Sequence, residues 1–474
     1  MSVYKIIYLV AFLMTAIFSP PAPAGDGFDA IKAKVDEHAK KAFGQRGQVG
    51  VVVGVVKENE IRIWSYGQRV LGLHESPAAD TYFEIGSLTK TFTSTLLALE
   101  VTRGRVRLSD QVKQFMHELE GMDGGEITLE ELGTHTSGLP RLPDNLNVKD
   151  PLNPYRDYRD IELLQYLKSF KRRGAGSNPY LYSNLGLGLL GYILSERLNG
   201  VPYDIYLRSN LLDPLNLNDT KMHFLSSDIA RAAVGHGSFL EQKPFWDFKI
   251  LAGAGALKST VADLLNYIKF NINPPSGVLE KAISLAQTPR KPSAQPAVNI
   301  ALGWHTIQKA TSHLITHSGG TGGFRSNLIF DKQKKIGAVV LSNTEITPEC
   351  ILAPVFELEC SVPDFVVVSP SVQIKMLGNY RNQEIKMDIE VFQENGIFGV
   401  QPSGQPRARL WPKSETEFVI AEVNASLVFK RDSDGGFSGF ELRQNGQTFS
   451  FEKTPQMMLI HNNQSDIFNY LRSR

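Results

Sequence analysis

An α+β fold follows from two features of the 474-residue sequence. Strand-like runs at both ends of residues 25–365 enclose a helical middle, and a distinct alternating pattern occupies residues 366–474. The first part reads as an antiparallel sheet flanked by helices with an all-helical insert, and the second as an all-β, barrel-like domain. At 42% apolar and 21% charged residues the chain can bury a large core. Its 50 Lys+Arg and 49 Asp+Glu are spread evenly, so neither a long-range field nor a basic cluster favours nucleic acid.

Residues 1–24 predict an export signal: Lys5, an apolar run from Ile6 to Phe18, and the small-residue step Ala22-Pro23-Ala24 before Gly25. The expected location is periplasmic or secreted. The run is shorter than the roughly 20 residues that span a bilayer, and no later stretch approaches that length, so a multi-pass membrane protein is excluded. A single uncleaved anchor is the alternative. Phe28, Ile31, Val35, Ala39 and Phe43 then recur at helical spacing among charged residues, which predicts an amphipathic helix. The β-branched run Val51 to Val56, a Lys-Glu-Asn-Glu turn and Ile61 to Trp64 predict a buried hairpin that the helix covers.

Helical patterns dominate from Leu88 to about Leu212. Strands are expected again at Leu302 to Ile307, Leu314 to Thr316, Phe324 to Phe330 and Ile336 to Ser342. Two cysteines, Cys350 and Cys360, would meet an oxidising compartment after export. On a straight helix they would lie roughly 15 Å apart, so a disulfide needs the segment to bend, and the pairing stays open. Beyond about Asp364, Ile385, Met387, Ile389 and Val391 alternate with charged residues. Asn395-Gly396, Asp434-Gly435 and Asn445-Gly446 supply hairpin turns. This module lacks a cluster that reads as a catalytic site; capping the cleft, an oligomer contact and plain stabilisation are its open roles.

Several common motifs are missing: His-Glu-x-x-His, Cys-x-x-Cys, Gly-Lys-Ser/Thr and Gly-x-Ser-x-Gly. Neither a metal nor a cofactor is therefore expected. Gly186-Leu187-Gly188-Leu189-Leu190-Gly191 has the form of a dinucleotide fingerprint, yet it follows Tyr-Ser-Asn and not a strand. Its glycines read as places where another backbone approaches a helix closely.

Chemistry begins at Ser87-Leu88-Thr89-Lys90, at the head of the helical run Thr91 to Glu100. At spacing i and i+3 the hydroxyl and the amine share one helix face, within reach of direct proton transfer. The first turn also carries free N–H groups that can hold an oxyanion. For Lys90 to act as a base, burial or a neighbouring cation must lower its pKa. Chance alone yields roughly two Ser-x-x-Lys matches in a chain of this length, so company decides. That company is Tyr182-Ser183-Asn184, opening the glycine-bearing helix, and His317-Ser318-Gly319-Gly320, at the end of a strand-like run.

With these three ordered motifs, residues 28–345 resemble the serine hydrolases grouped with class C β-lactamases, DD-peptidases and their esterase relatives. That family's motifs are Ser-x-x-Lys, Tyr-x-Asn and Lys-Thr-Gly or His-x-Gly. His135-Thr136-Ser137-Gly138-Leu139-Pro140, Leu212-Asp213-Pro214-Leu215, Gly255-Ala256-Leu257-Lys258-Ser259 and Leu302-Gly303-Trp304 agree with it. The resemblance implies a β-lactamase/transpeptidase-like sheet in which Ser87 is acylated and Lys90 takes its proton, directly or with Tyr182. Tyr182, as a phenolate favoured by adjacent positive charge, would pass the proton to the leaving group. Asn184 would bond the substrate amide or Lys90, and the N–H groups of Ser87 and Gly320 would form the oxyanion hole. Gly319 and Gly320 would let the strand edge lie against substrate. Ser318 belongs to the same substrate-binding edge.

His317 departs from the lactamase pattern, where a permanently charged Lys commonly recognises a carboxylate; His is mostly neutral at pH 7. Arg325 would restore the charge if it reaches the site, a surface ion pair being the other reading. The expectation is a D-amino-acid peptidase of carboxypeptidase or endopeptidase type, or a carboxylesterase, acting on a peptide, an ester or another small molecule. A class C-like β-lactamase and a slowly turning over penicillin- or peptidoglycan-binding protein are the alternatives. His135 reads as structural, and Tyr192 and Trp304 as core.

Overall fold

The computed structural model describes residues 27–172, 179–293, 295–360, 365–420 and 423–454; the export signal expected over residues 1–24 lies outside them. They form two compact units, residues 27–360 and 365–454. Among the described residues no helix is long and apolar enough to cross a membrane.

Helix α1 (Gly27–Arg46) leads into strands β1 (Gly50–Lys57) and β2 (Glu60–Gly67). The sheet is completed from the far end of the unit by β3 (Lys291–Pro292), β4 (Val298–Ile300), β5 (His305–Gln308), β6 (His313–Gly320), β7 (Arg325–Asp331) and β8 (Ile336–Ser342). All neighbours are antiparallel, in the order β2-β1-β8-β7-β6-β5-β4-β3. Both ends of the unit thus meet at the β1–β8 seam, Val51 opposite Ser342 and Lys57 opposite Ile336. Val51, Val53 and Val55 pack with Phe28, Val35 and Ala39 of α1, while Val52 and Val56 join the main core. Burial on both faces is why this strand is apolar from Gly50 to Val56 instead of alternating. The hairpin is fully buried only in its first strand, because β2 is the sheet edge and stays half-exposed.

Helix α2 (Thr89–Thr102) runs through the core and is buried from Thr89 to Glu100. Its buried threonines are tolerated there because their hydroxyls are bonded: Thr95 Oγ1 donates to Thr91 O at 2.8 Å, Thr91 Oγ1 to Leu88 O in the preceding turn at 2.8 Å, and Thr93 Oγ1 to Gly253 O at 2.8 Å. Three further helices follow, α3 (Leu129–Gly133), α4 (Asp160–Ser169) and α5 (Asn184–Tyr192). The expected strand at Leu302 begins only at His305. Gly303, at φ +64°, turns the chain onto α2, where an added Cβ would lie 2.7 Å from Lys90 O. Trp304 and Tyr192 are buried as expected of core residues. Cys350 and Cys360 are disulfide-bonded with Cα atoms 5.4 Å apart. The needed bend comes from two short 3-10 turns and from Glu357 at φ +52°.

The second unit is one nine-stranded antiparallel sheet: β9 (Gly378–Asn382), β10 (Met387–Glu394), β11 (Ile397–Pro402), β12 (Ala408–Arg409), β13 (Trp411–Pro412), β14 (Glu417–Ile420), β15 (Ala425–Arg431), β16 (Phe437–Gln444) and β17 (Gln447–Lys453). Its order, β12-β11-β10-β9-β17-β16-β15-β14-β13, places at opposite edges two strands that only Leu410 separates in the chain. The sheet therefore curls until it nearly closes, around Tyr380, Phe398, Phe418, Phe429, Phe440 and Phe451. Asn395-Gly396 and Asn445-Gly446 turn two hairpins with both residues at positive φ, as the twist of antiparallel strands favours.

Candidate active site

Ser87 lies in a single 3-10 turn, Gly86–Leu88, that feeds directly into α2. The turn is pressed against β6. A Cβ on Gly86, whose φ is +49°, would lie 2.6 Å from Gly320 N, and a Cβ on Gly319 would lie 2.0 Å from Ile85 O. Ser326 Oγ on β7 donates to the same Ile85 carbonyl at 2.8 Å. The close approach at Gly319 is thus to the backbone that carries Ser87. This contact brings the Gly320 backbone beside the first turn of α2, where helix N–H groups lack intrahelical partners.

Lys90 is fully buried, and its Nζ has three partners: Ser87 Oγ at 2.9 Å, Asn184 Oδ1 at 2.8 Å and Ala254 O at 2.6 Å. Burial, and secondly the Arg141 guanidinium, hold the amine well below the usual lysine range. A neutral amine has two N–H donors and one lone pair. The two carbonyl oxygens can only accept, so they take both donors and the lone pair is left for the Ser87 hydroxyl. Ala254 arrives through the glycines of α5: a Cβ on Gly188 would lie 2.6 Å from Leu251 Cδ2, and one on Gly191 2.9 Å from Gly253 Cα. These contacts seat the turn Lys249–Ala254 on the helix. Close backbone approach is therefore the role of Gly188 and Gly191, as expected, whereas Gly186 meets only side chains, Ser183 Oγ at 3.3 Å being the nearest.

Asn184 faces Lys90 through Oδ1, while its Nδ2 donates to Tyr155 Oη at 3.1 Å. Of the two roles foreseen for it, the one on Lys90 is the one this structure contains. Tyr155 in turn stacks on Phe248 with ring centroids 4.4 Å apart. Tyr155→Phe keeps that stack and removes one hydrogen-bond partner, a contribution of about 1 kcal/mol. The expected result is roughly a fivefold fall in kcat with KM little changed, read from steady-state ester hydrolysis; a change confined to KM would place Tyr155 on the substrate instead.

The Tyr182 ring centroid is 4.9 Å from Lys90 Nζ, and its phenol has the Ser87 hydroxyl beside it. Burial pushes this phenol up to about 12, outweighing Ser87 and Arg141, which act the other way. The phenolate expected from adjacent positive charge is therefore corrected to a protonated phenol. His135 stacks on Tyr182 at 4.5 Å and accepts the Ser183 N–H at 3.0 Å through Nδ1. Its φ of +59° and its contact with Tyr182 were not legible in the sequence.

His317 is buried, with Nδ1 2.6 Å from Ser318 O, and its ring lies 5.2 Å from that of His305 and 6.2 Å from that of Tyr182. Burial, then His305 and Lys90, hold it well below the usual histidine range, so it is neutral at pH 7. Ser318 and Gly320 are exposed on the part of β6 beyond its pairing with β5, which ends at Thr316. Arg325 folds over Gly320 but donates to Thr321 O at 2.8 Å and Phe324 O at 2.9 Å, and it faces Glu345 at 3.7 Å. Sequence reasoning missed Tyr155, Ala254, His305 and Arg141, whose guanidinium lies 5.2 Å from the Tyr182 ring. Arg141 directly follows Gly138-Leu139-Pro140, the one signal near it; Ala254 contributes a carbonyl that any residue type provides.

Comparison with known proteins gives the family. The family described as Beta-lactamase matches residues 31–353. A β-lactamase of Pseudomonas fluorescens is 24% identical over 351 residues, covering 66% of this chain and 93% of that protein. The D-alanyl-D-alanine-carboxypeptidase/endopeptidase AmpH of Escherichia coli K12 is 27% identical over 332 residues, covering 66% and 84%. Among solved structures, a class C β-lactamase superposes with a TM-score of 0.64 at 24% identity over 72% of this chain and 99% of that one. A β-lactamase/D-alanine carboxypeptidase of Pseudomonas syringae gives 0.62 at 22% identity over 70% and 100%. An α+β sheet entered by a serine-bearing helix, matched over more than half its length, makes this chain a serine hydrolase of the β-lactamase family.

Proposed function

We propose that the chain is an exported hydrolase that forms an acyl-enzyme on Ser87 and cleaves D-amino-acid peptides, with carboxylic esters as the simpler substrates. In this reading residues 25–365 are the catalytic domain and residues 366–474 an added β domain. The observation that carries the reading is the set of partners around Lys90 Nζ: with Asn184 Oδ1 and Ala254 O taking the two N–H groups of a neutral amine, Ser87 Oγ, 2.9 Å away, is the one partner left for its lone pair.

Ser87 Oγ attacks the substrate carbonyl carbon while its proton passes to Lys90. The oxyanion develops against the N–H groups of Ser87 and Gly320. Tyr182, held protonated, donates to the departing amine or alcohol and recovers a proton from Lys90. Water then attacks the ester on Ser87, releasing the acid and restoring the hydroxyl. Neutral His317 gives neither a lactam carboxylate nor a peptide's C-terminal carboxylate a fixed cation at that position; peptidase action is favoured by the peptidase name that the AmpH relative carries.

Intact-mass analysis after exposure to a fluorescent penicillin and to a p-nitrophenyl ester tests this. Wild type gains one acyl mass and Ser87→Ala gains none; an adduct that survives the substitution refutes the reading. Repeated release of p-nitrophenol marks an enzyme, whereas a stoichiometric burst that stops marks a binding protein.

A further inference from the structure

The cations around Ser87 are mostly occupied. Lys90 is buried and bonded, Lys258 faces Glu84 at 3.8 Å beneath the site, and Arg325 holds loop carbonyls beside Glu345. His135, His305 and His317 are all held neutral by burial. Arg141 differs from all of these. Its backbone is anchored, the carbonyl accepting the N–H groups of Asn184 and Leu185 at 3.1 and 3.3 Å at the start of α5. Its side chain is exposed, and among the described residues no carboxylate lies within ion-pair distance of it. The guanidinium lies 5.2 Å from the centroid of the Tyr182 ring.

In the reaction proposed above Tyr182 donates to the leaving group, and a guanidinium beside the Tyr182 ring can reach a charge that the leaving group carries. A planar guanidinium with a fixed base and open donors matches a carboxylate in two-pronged fashion. Resting on the acyl-enzyme reading at Ser87, we propose that Arg141 anchors the free carboxylate of the leaving residue. The chain would then remove C-terminal amino acids, acting as a carboxypeptidase in preference to cutting inside a peptide.

The test compares N-acetyl-D-alanyl-D-alanine with its C-terminal amide, in wild type, Arg141→Gln and Arg141→Lys, by the rate of D-alanine or D-alaninamide release. Wild type is expected to favour the acid. Arg141→Gln should lower the acid-to-amide ratio of kcat/KM by about 10- to 100-fold, the scale of a charge-assisted hydrogen-bond pair. Arg141→Lys, with charge but no fork, should fall between them. An unchanged ratio in Arg141→Gln overturns the proposal, as does a wild type that does not prefer the acid or does not cleave it. Hydrolysis of p-nitrophenyl acetate in wild type and Ser87→Ala reports separately on Ser87: ester turnover surviving Ser87→Ala defeats the underlying reading, whereas a lost ester activity with an unchanged acid-to-amide ratio defeats only the role of Arg141.

Discussion

Lys90→Arg is expected to lower kcat/KM for ester hydrolysis by about a thousandfold, and Lys90→Met by a similar factor. Arginine keeps a positive charge but never offers a lone pair, so the pair of variants separates a base from a mere cation: if Arg retains activity that Met loses, Lys90 acts by charge and the proton must leave Ser87 by another route. Lys90→Met also strands Asn184 Oδ1 and Ala254 O without their donor, and each buried orphan acceptor costs about 1–3 kcal/mol. Thermal melts must therefore accompany the kinetics. The pH dependence has a definite sign. Activity should rise with pH as the buried amine loses its proton, at a value well below the ordinary lysine range, and should not fall again until Tyr182 ionises near 12. Stability follows the same direction. Between the lowered folded-state value and about 10.4 the unfolded chain holds a proton that the folded chain has shed, so this group makes the fold more stable as pH rises. Lys90→Met abolishes that slope.

Much of this site was legible as residue types in order. Ser87, Lys90, Tyr182, Asn184 and His317 lie in three short motifs, and the hairpin Val51 to Trp64 with the late strands foretold a sheet assembled from both ends. The motifs name side chains, whereas half of the geometry is made by backbone. Ala254 O on Lys90 and Ile85 O against Gly319 leave no mark in residue identity beyond nearby glycines. The expected strand at Leu302 failed for a related reason: Leu302 and Trp304 are buried in the core, but Gly303 takes a positive φ to meet α2, and tertiary contact overrode local pattern. Charge state was misread where burial competes with neighbours. The Tyr182 phenol has the Arg141 guanidinium and the Ser87 hydroxyl beside it yet titrates upward, because loss of solvent outweighs both.

Gly319→Ala should damage the site severely. The new methyl would stand 2.0 Å from Ile85 O and 2.5 Å from Ser326 Oγ, and the first of these atoms belongs to the backbone that carries Ser87. Either β6 or the Ile85–Ser87 turn must withdraw. Both responses separate the Gly320 N–H from the Ser87 N–H, so the expected loss is that of an oxyanion donor, about 10²- to 10³-fold in kcat. Overpacking should also destabilise the fold by about 1–3 kcal/mol. Gly320→Ala is the informative partner, because the atoms its methyl meets most closely are those of the Arg325 side chain, Nη1 at 2.9 Å, and not backbone; that side chain can yield by giving up its bonds to Thr321 O and Phe324 O. Its fall in kcat should be the smaller by at least tenfold on a neutral ester. If the two variants lose activity equally, the β6 edge is sensitive to any added bulk beside substrate, and the close backbone contact at Ile85 is not what holds the nucleophile in place.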